Sequence, residues 1–299
     1  MTVFGRVLTA MITPFTPDGA LDLDGAVRLA GWLVDAGNDG IVLNGTTGES
    51  PATTDAEKER LVRAVVEAVG DRAQVVAGAG TNDTAHSVAQ ARLMEKAGAH
   101  GLLVVAPYYN KPPQAGLYQH FTTIADATGL PVMIYDIPGR TGVAVATDTL
   151  VRLGEHERIV AVKDAKDDLE ASSWVLARSS LAYYSGTDVL NLPLLSIGAV
   201  GCVSVVGHVV AGRLVELVSA FGAGEFTRAA NIHRELLPIY TGMFRTQGAI
   251  LAKAALTLLG QPAGPVRPPL VDATESEIDL LRLDLLAAGV EVPGSAAQR

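Results

Sequence analysis

Apolar and polar positions along this chain follow two alternating rhythms. Short, nearly unbroken apolar runs recur at residues 8–13, 40–43, 74–77, 101–106, 131–135, 159–163, 182–184 and 202–205. Runs of this length, rich in Val, Ile and Leu and bounded by turn residues, predict strands covered on both faces. Between them lie longer segments with apolar residues every three or four positions. That spacing predicts helices at 24–36, 55–69, 84–97, 114–127, 147–153, 169–178, 189–197 and 212–221. Asp24, Thr54, Asp83 and Thr147 stand where helices begin, as caps or first-turn polar groups. Gly37, Gly70, Gly98, Gly129 and Gly222 stand where helices should stop.

Strand–helix alternation repeated eight times predicts a (β/α)₈ TIM barrel. The competing arrangement, a doubly wound open sheet, needs a glycine-rich phosphate loop after its first strand. The segment Met11-Ile12-Thr13-Pro14-Phe15 has none. Beyond residue 224 only helical patterns follow, at 226–244, 248–259 and 275–286, with a proline-rich loop at 261–269. The expected organisation is a barrel at 1–223 carrying the active site and a C-terminal helical extension at 224–299. The tail at 294–299 is expected to fray.

Composition narrows the function. A chain of 299 residues that is 48% hydrophobic can bury a large core. A net charge of −9 argues against a nucleic-acid surface and against a membrane-surface binder. No signal-peptide pattern opens the chain and no uncharged apolar run reaches spanning length, so a cytoplasmic protein is expected. The single cysteine, Cys202, reads as a small buried hydrophobe. Six scattered histidines lack metal-ligand spacing, and Gly78-Ala79-Gly80 fails the nucleotide-loop template, so no metal or cofactor is expected.

Candidate chemistry collects at the ends of the predicted strands, where barrels of this kind carry their active sites. Lys163 closes the apolar run Ile159-Val160-Ala161-Val162. Two readings fit it. One is an ion pair with Asp164 or Asp167. The other is a buried amine whose lowered pKa frees it to form a Schiff base with a ketone or aldehyde. The turn Gly45-Thr46-Thr47-Gly48-Glu49 offers amides and hydroxyls that can grip a carboxylate, or is a capped glycine turn. Tyr109 and Tyr135 read as ordinary core aromatics or as rim phenols. Tyr135 ends the strand before that of Lys163 and faces the same cavity on the second reading. Arg140, two residues after Pro138, suits bidentate carboxylate capture or a weak surface pair.

Four motifs occur in order on the expected strands: Gly45-Thr46-Thr47-Gly48-Glu49-Ser50, Pro107-Tyr108-Tyr109, Tyr135-Asp136-Ile137-Pro138-Gly139-Arg140 and Val162-Lys163-Asp164. Over nearly its whole length the chain resembles the dihydrodipicolinate synthase/N-acetylneuraminate lyase family. Thr46-Thr47 and Arg140 resemble the dihydrodipicolinate-forming branch rather than the sialic-acid lyases. The resemblance implies a cofactor-free class I aldolase-type condensation of pyruvate with L-aspartate-4-semialdehyde, on the diaminopimelate route to lysine. It implies Lys163 as Schiff-base nucleophile, with Tyr135, Thr46 and Tyr109 as a proton relay. It implies Thr47 on the pyruvate carboxylate, Arg140 on the aldehyde's carboxylate, and Gly186 and the Val203 carbonyl as cavity walls. It further implies a homotetramer, a dimer of dimers, in which Tyr109 completes the neighbouring subunit's site.

Some positions depart from the family pattern. Asp136 stands where many members have asparagine, and either alters the relay or points outward. Thr187 replaces a common aspartate. At the positions of the family's lysine feedback site, Ser50, Asn82 and Tyr108 match, but His86 replaces an acid and Asp55 and Lys58 replace histidines. Weak or absent inhibition by lysine is therefore expected. Two other functions stay in view. One is a pyruvate-dependent aldolase of the same family with a different acceptor, which Arg140 disfavours. The other is a non-catalytic barrel, which the intact motifs disfavour.

Overall fold

The computed structural model describes residues 3–293. Eight parallel strands close into one barrel in sequential order: β1 (Val7–Ala10), β2 (Gly40–Leu43), β3 (Gln74–Gly78), β4 (Gly101–Val105), β5 (Val132–Asp136), β6 (Ile159–Asp164), β7 (Ala182–Ser185) and β8 (Gly201–Ser204). β8 pairs back on β1. The helices between them are α1 (Leu23–Asp35), α2 (Asp55–Val69), α3 (Thr84–Lys96), α4 (Gln114–Asp126), α5 (Pro138–Thr141), α6 (Thr147–Leu153), α7 (Leu169–Arg178) and α8 (Asn191–Ser196). α9 (Gly207–Gly222) follows β8, and α10 (Phe226–Gly242), α11 (Gly248–Leu258) and α12 (Glu275–Ala287) complete the described chain. The (β/α)₈ TIM barrel expected from the apolar rhythm is the fold observed. The tail at 294–299 lies outside the described residues.

Nearly every strand residue is buried, because the barrel interior covers one face and the helices the other. Side chains alternate between those faces along each strand. Leu8, Ala10, Val42, Val76, Leu103, Met133, Tyr135, Ala161, Tyr184 and Val203 pack together inside the barrel. A larger apolar layer between sheet and helices includes Ile41, Leu43, Val75, Leu102, Ile134 and Val162. Met133 and Ala161 pair in register, as do Tyr135 and Lys163 two residues further on. Period-two alternation thus carries both polar groups inward at the barrel mouth, directly above the apolar plug.

Local chemistry explains most element ends. The Thr54 hydroxyl accepts the Glu57 amide while Glu57 returns a bond to the Thr54 amide, a capping box that starts α2. Asp83 caps α3. Asp22, rather than Asp24, caps α1, and Asp24 supplies first-turn charge. Thr147 is the first residue of α6 and gives no side-chain cap. The helix expected at 189–197 is a 3-10 turn (Asp188–Leu190) running into α8. Asp188 is drawn inward there to bind the start of α9. α9 begins five residues before the expected 212 and changes direction at Val210, whose φ/ψ of −134°/28° is non-helical.

α10 packs on α9 and α12, and α11 on α9 and α12. The C-terminal helices therefore lie against the segments that follow β8. The loop at 263–267 turns back over the start of the chain. The Phe15 amide donates to the Ala263 carbonyl at 3.1 Å. Gly264, at φ +69°, rests so close to Phe15 that a Cβ would fall 1.7 Å from its carbonyl oxygen, so glycine is required there.

Candidate active site

A cavity of about 530 Å³ opens at the C-terminal mouth of the barrel. Thr46, Thr47, Tyr135, Gly139, Arg140, Lys163, Gly186, Thr187 and Asp188 line it, with Tyr240, Phe244 and Gln247 from the C-terminal helices. Lys163 is 5% exposed, and its Nζ lies 4.1 Å from the centre of the Tyr135 ring. Among the described residues it makes no ion pair, and the expected alternatives are engaged elsewhere. The Asp164 Oδ2 accepts the Ser172 hydroxyl at 2.6 Å and its Oδ1 accepts the Lys166 amide. Asp167 accepts the Thr187 hydroxyl at 2.8 Å.

Burial dominates the Lys163 pKa and lowers it to about 8. The negative charge of Asp188 opposes that shift, and the Arg140 guanidinium adds to it. At pH 7 a pKa of 8 leaves about a tenth of the amine neutral, against about one part in 3,000 at the ordinary value. Burial likewise pushes the Tyr135 phenol up to about 12. The charge of Arg140 and a hydrogen-bonding interaction with Thr46 pull in the other direction. Tyr135 therefore keeps its proton at neutral pH, close to an amine that readily loses one.

Glycine at 186 has a steric reason. A Cβ there would approach the Asp164 carbonyl oxygen to 2.9 Å and the Lys163 Cγ to 3.0 Å, blocking the path of the lysine stem. The turn after β2 is bracketed by two left-handed residues, Asn44 at φ 55° and Glu49 at φ 54°. Between them Thr13 donates to the Gly48 carbonyl at 2.7 Å, which ties the turn to the end of β1.

A second cavity of about 470 Å³ adjoins the first, with Thr46, Tyr135, Ile137 and Arg140 in the walls of both. Ser50, Asp55, Lys58, Asn82, His86 and Tyr108 all line it. His86 Nε2 lies 3.0 Å from Asp55 Oδ2, and Lys58 Nζ lies 3.8 Å from Asp55 Oδ1. Burial works against Asp55, but the His86 bond and the Lys58 charge hold its pKa below the usual carboxylate range. The acid is already engaged by two basic side chains.

Of the residues expected from sequence, Lys163, Tyr135, Thr46, Thr47, Arg140 and Gly186 come together. The Val203 side chain packs in the barrel interior beside that of Tyr135, and Val205 lines the cavity near β8. Tyr109 is 88% exposed at φ 74° and lies outside the cavity of its own chain. Asp136 points outward. Its Oδ1 accepts the Val145 amide at 3.1 Å and its Oδ2 lies 3.5 Å from Lys166 Nζ. Burial raises its pKa to about 6, with Lys166 opposing.

Sequence reading missed Asp188. Its carboxylate accepts the Ser204 hydroxyl, the Asn191 amide group at 3.3 Å and the backbone amides of Val205 and Val206 at 3.0 and 3.2 Å. It thereby joins the segment after β7 to the start of α9. No local pattern marks it, since those partners lie up to 18 positions away.

The fold is a (β/α)₈ barrel with a buried lysine at its mouth, and the relatives it matches make the chain a lyase of the Schiff-base aldolase type. The chain belongs to the dihydrodipicolinate synthetase family, whose model it matches over residues 3–288. It is 67% identical over 291 residues to 4-hydroxy-tetrahydrodipicolinate synthase 2 of Streptomyces coelicolor, covering 97% of each chain. It is 68% identical over 286 residues to the 4-hydroxy-tetrahydrodipicolinate synthase of Acidothermus cellulolyticus, covering 96% of this chain and 93% of that one. Among solved structures it is similar to the lysine-bound dihydrodipicolinate synthase of Cyanidioschyzon merolae. That match has a TM-score of 0.96 and 41% identity, over 97% of this chain and 100% of the other. No helix among the described residues is long and apolar enough to cross a membrane.

Proposed function

We propose that the larger cavity is where this chain acts as a 4-hydroxy-tetrahydrodipicolinate synthase, condensing pyruvate with L-aspartate-4-semialdehyde on the route to diaminopimelate and lysine. The carrying observation is the buried, unpaired Lys163 amine, with a pKa near 8, against the Tyr135 ring. Its neutral form adds to the pyruvate ketone and, with loss of water, forms an imine. The protonated imine is an electron sink that makes the pyruvate methyl carbon acidic. Loss of a methyl proton gives the enamine, whose carbon attacks the aldehyde.

Thr47 and the neighbouring amides hold the pyruvate carboxylate. Arg140 at the mouth suits the carboxylate of the semialdehyde. Tyr135, protonated at neutral pH, is the general acid/base, and Thr46 links it toward the second cavity and solvent. Tyr109 completes the relay in a neighbouring subunit. Its exposure and left-handed backbone support that role, in a homotetramer built as a dimer of dimers. The enzyme works in the cytoplasm.

Borohydride trapping with pyruvate, followed by peptide mass mapping, tests this reading. A reduced adduct on Lys163 is expected, and an adduct elsewhere or none would overturn it. A coupled assay with semialdehyde beside one with sialic acid identifies the acceptor. Inhibition by lysine is expected to be weak, because Lys58 and His86 already engage Asp55 and Lys58 repels an incoming ammonium. Strong inhibition near physiological lysine would contradict that expectation.

A further inference from the structure

Another buried lysine lies outside both of these cavities. Lys253, on α11, is 3% exposed. Its Nζ lies 2.6 Å from Glu49 Oε1, donates to the Pro265 carbonyl at 2.7 Å, and sits 4.2 Å from the centre of the Phe15 ring. The other oxygen of Glu49 accepts the backbone amide of Arg267 at 2.7 Å. The Arg267 guanidinium covers the same Phe15 ring at 4.1 Å and donates to Glu57 and to the carbonyls of Gly19 and Ala52. The C-terminal extension therefore grips the carboxylate of one residue in the turn after β2.

That residue is Glu49, which holds a left-handed backbone that side chains other than glycine seldom adopt. Such a conformation persists where its surroundings over-determine it. Here Thr13 holds Gly48 from the barrel side, and Lys253 with the Arg267 amide holds Glu49 from the extension. Thr46 and Thr47 lie between Gly45 and these two anchors.

We infer that Glu49 and Lys253 are a positioning pair, through which the C-terminal extension sets the turn carrying Thr46 and Thr47 and so its grip on the pyruvate carboxylate. This rests on the reading of that turn as the pyruvate subsite. Neither residue touches the substrate. Removing the cation leaves a buried carboxylate unpaired. Glu49 then turns toward water and draws the threonines out of place, and small misplacements of binding groups weaken catalysis steeply.

The test compares Lys253→Met, Glu49→Gln and the double variant in the full-length enzyme. Pyruvate KM, semialdehyde KM and the pyruvate concentration that half-saturates borohydride trapping on Lys163 are measured well below each unfolding midpoint. Lys253→Met should raise pyruvate KM and the trapping midpoint about tenfold or more while semialdehyde KM moves less than about twofold. The double variant, with no stranded charge, should recover most of that loss. A folded Lys253→Met enzyme with unchanged pyruvate KM, or a double variant no better than the single one, would overturn the inference. Should Lys253→Met fail to fold, Glu49→Gln decides: a pyruvate KM raised about threefold or more supports the pair, and an unchanged one removes it. Wild-type enzyme that forms no pyruvate adduct would instead remove the underlying assignment of function.

Discussion

Lys163 and Lys253 are both nearly inaccessible, and each holds its ammonium nitrogen about 4 Å from an aromatic ring. They differ in what else is near. Lys253 meets a carboxylate and a carbonyl at hydrogen-bonding distance. Burial lowers its pKa, but the bond and charge of Glu49 oppose the shift. Among the described residues Lys163 has no such contact, and the anion whose charge acts on it, Asp188, spends its oxygens on Ser204, Asn191 and two backbone amides. Burial alone therefore does not make a nucleophile. On the proposed mechanism, what leaves Lys163 free to react is that the anion acting on it is already satisfied and its remaining neighbour is a phenol.

Substitution of the two lysines gives the strongest test of this contrast. Lys163→Met should abolish the trapped adduct and lower turnover by about 10³-fold or more. The Lys253 variant should still be trapped once pyruvate is raised. Equal loss in both would mean that the two lysines share one role. Tyr135→Phe comes next. It should lower turnover by about 10²-fold or more, the scale of a lost general acid/base. Pyruvate should still be trapped on Lys163, because the nucleophile remains. Normal turnover would remove the phenol from the mechanism.

The pH dependence separates the lysines without mutation. Imine formation at limiting pyruvate should rise about tenfold per pH unit below about 8 and level off above it, as neutral Lys163 accumulates. A single-turnover trapping series reads this directly, and a rise that continues past pH 10 would place Lys163 with ordinary lysines.

The smallest effect is expected from Asp136→Asn. Its side chain lies on the outer face, so turnover should stay within about threefold, while the asparagine oxygen can still accept the Val145 amide. Stability should respond instead. A native pKa of about 6, above an unfolded value of about 4, means that the folded state holds the proton more tightly. Asp136 thus favours folding at low pH, and that contribution is lost as pH rises from about 4 to about 6. Thermal unfolding midpoints of the variant should lack this decline.

The sequence by itself determined the barrel and most of its cavity. Apolar runs buried on two faces read differently from amphipathic helices, and strand ends mark the barrel mouth, so the rim positions of Lys163, Tyr135, Thr46, Thr47 and Arg140 were legible from pattern, while their roles came from the family resemblance. The direction of Asp136 was not, because it depends on which strand face Tyr135 takes, and only the closed sheet decides that. Neither Asp188 nor the grip of Lys253 and Arg267 on Glu49 leaves a local signature. Arg267 and Glu49 are 218 positions apart, and a charged residue reads the same whether it is solvated or buried against a distant partner. Tertiary structure decided which of two lysines was paired, since pairing depends on distances in space that spacing along the chain does not encode.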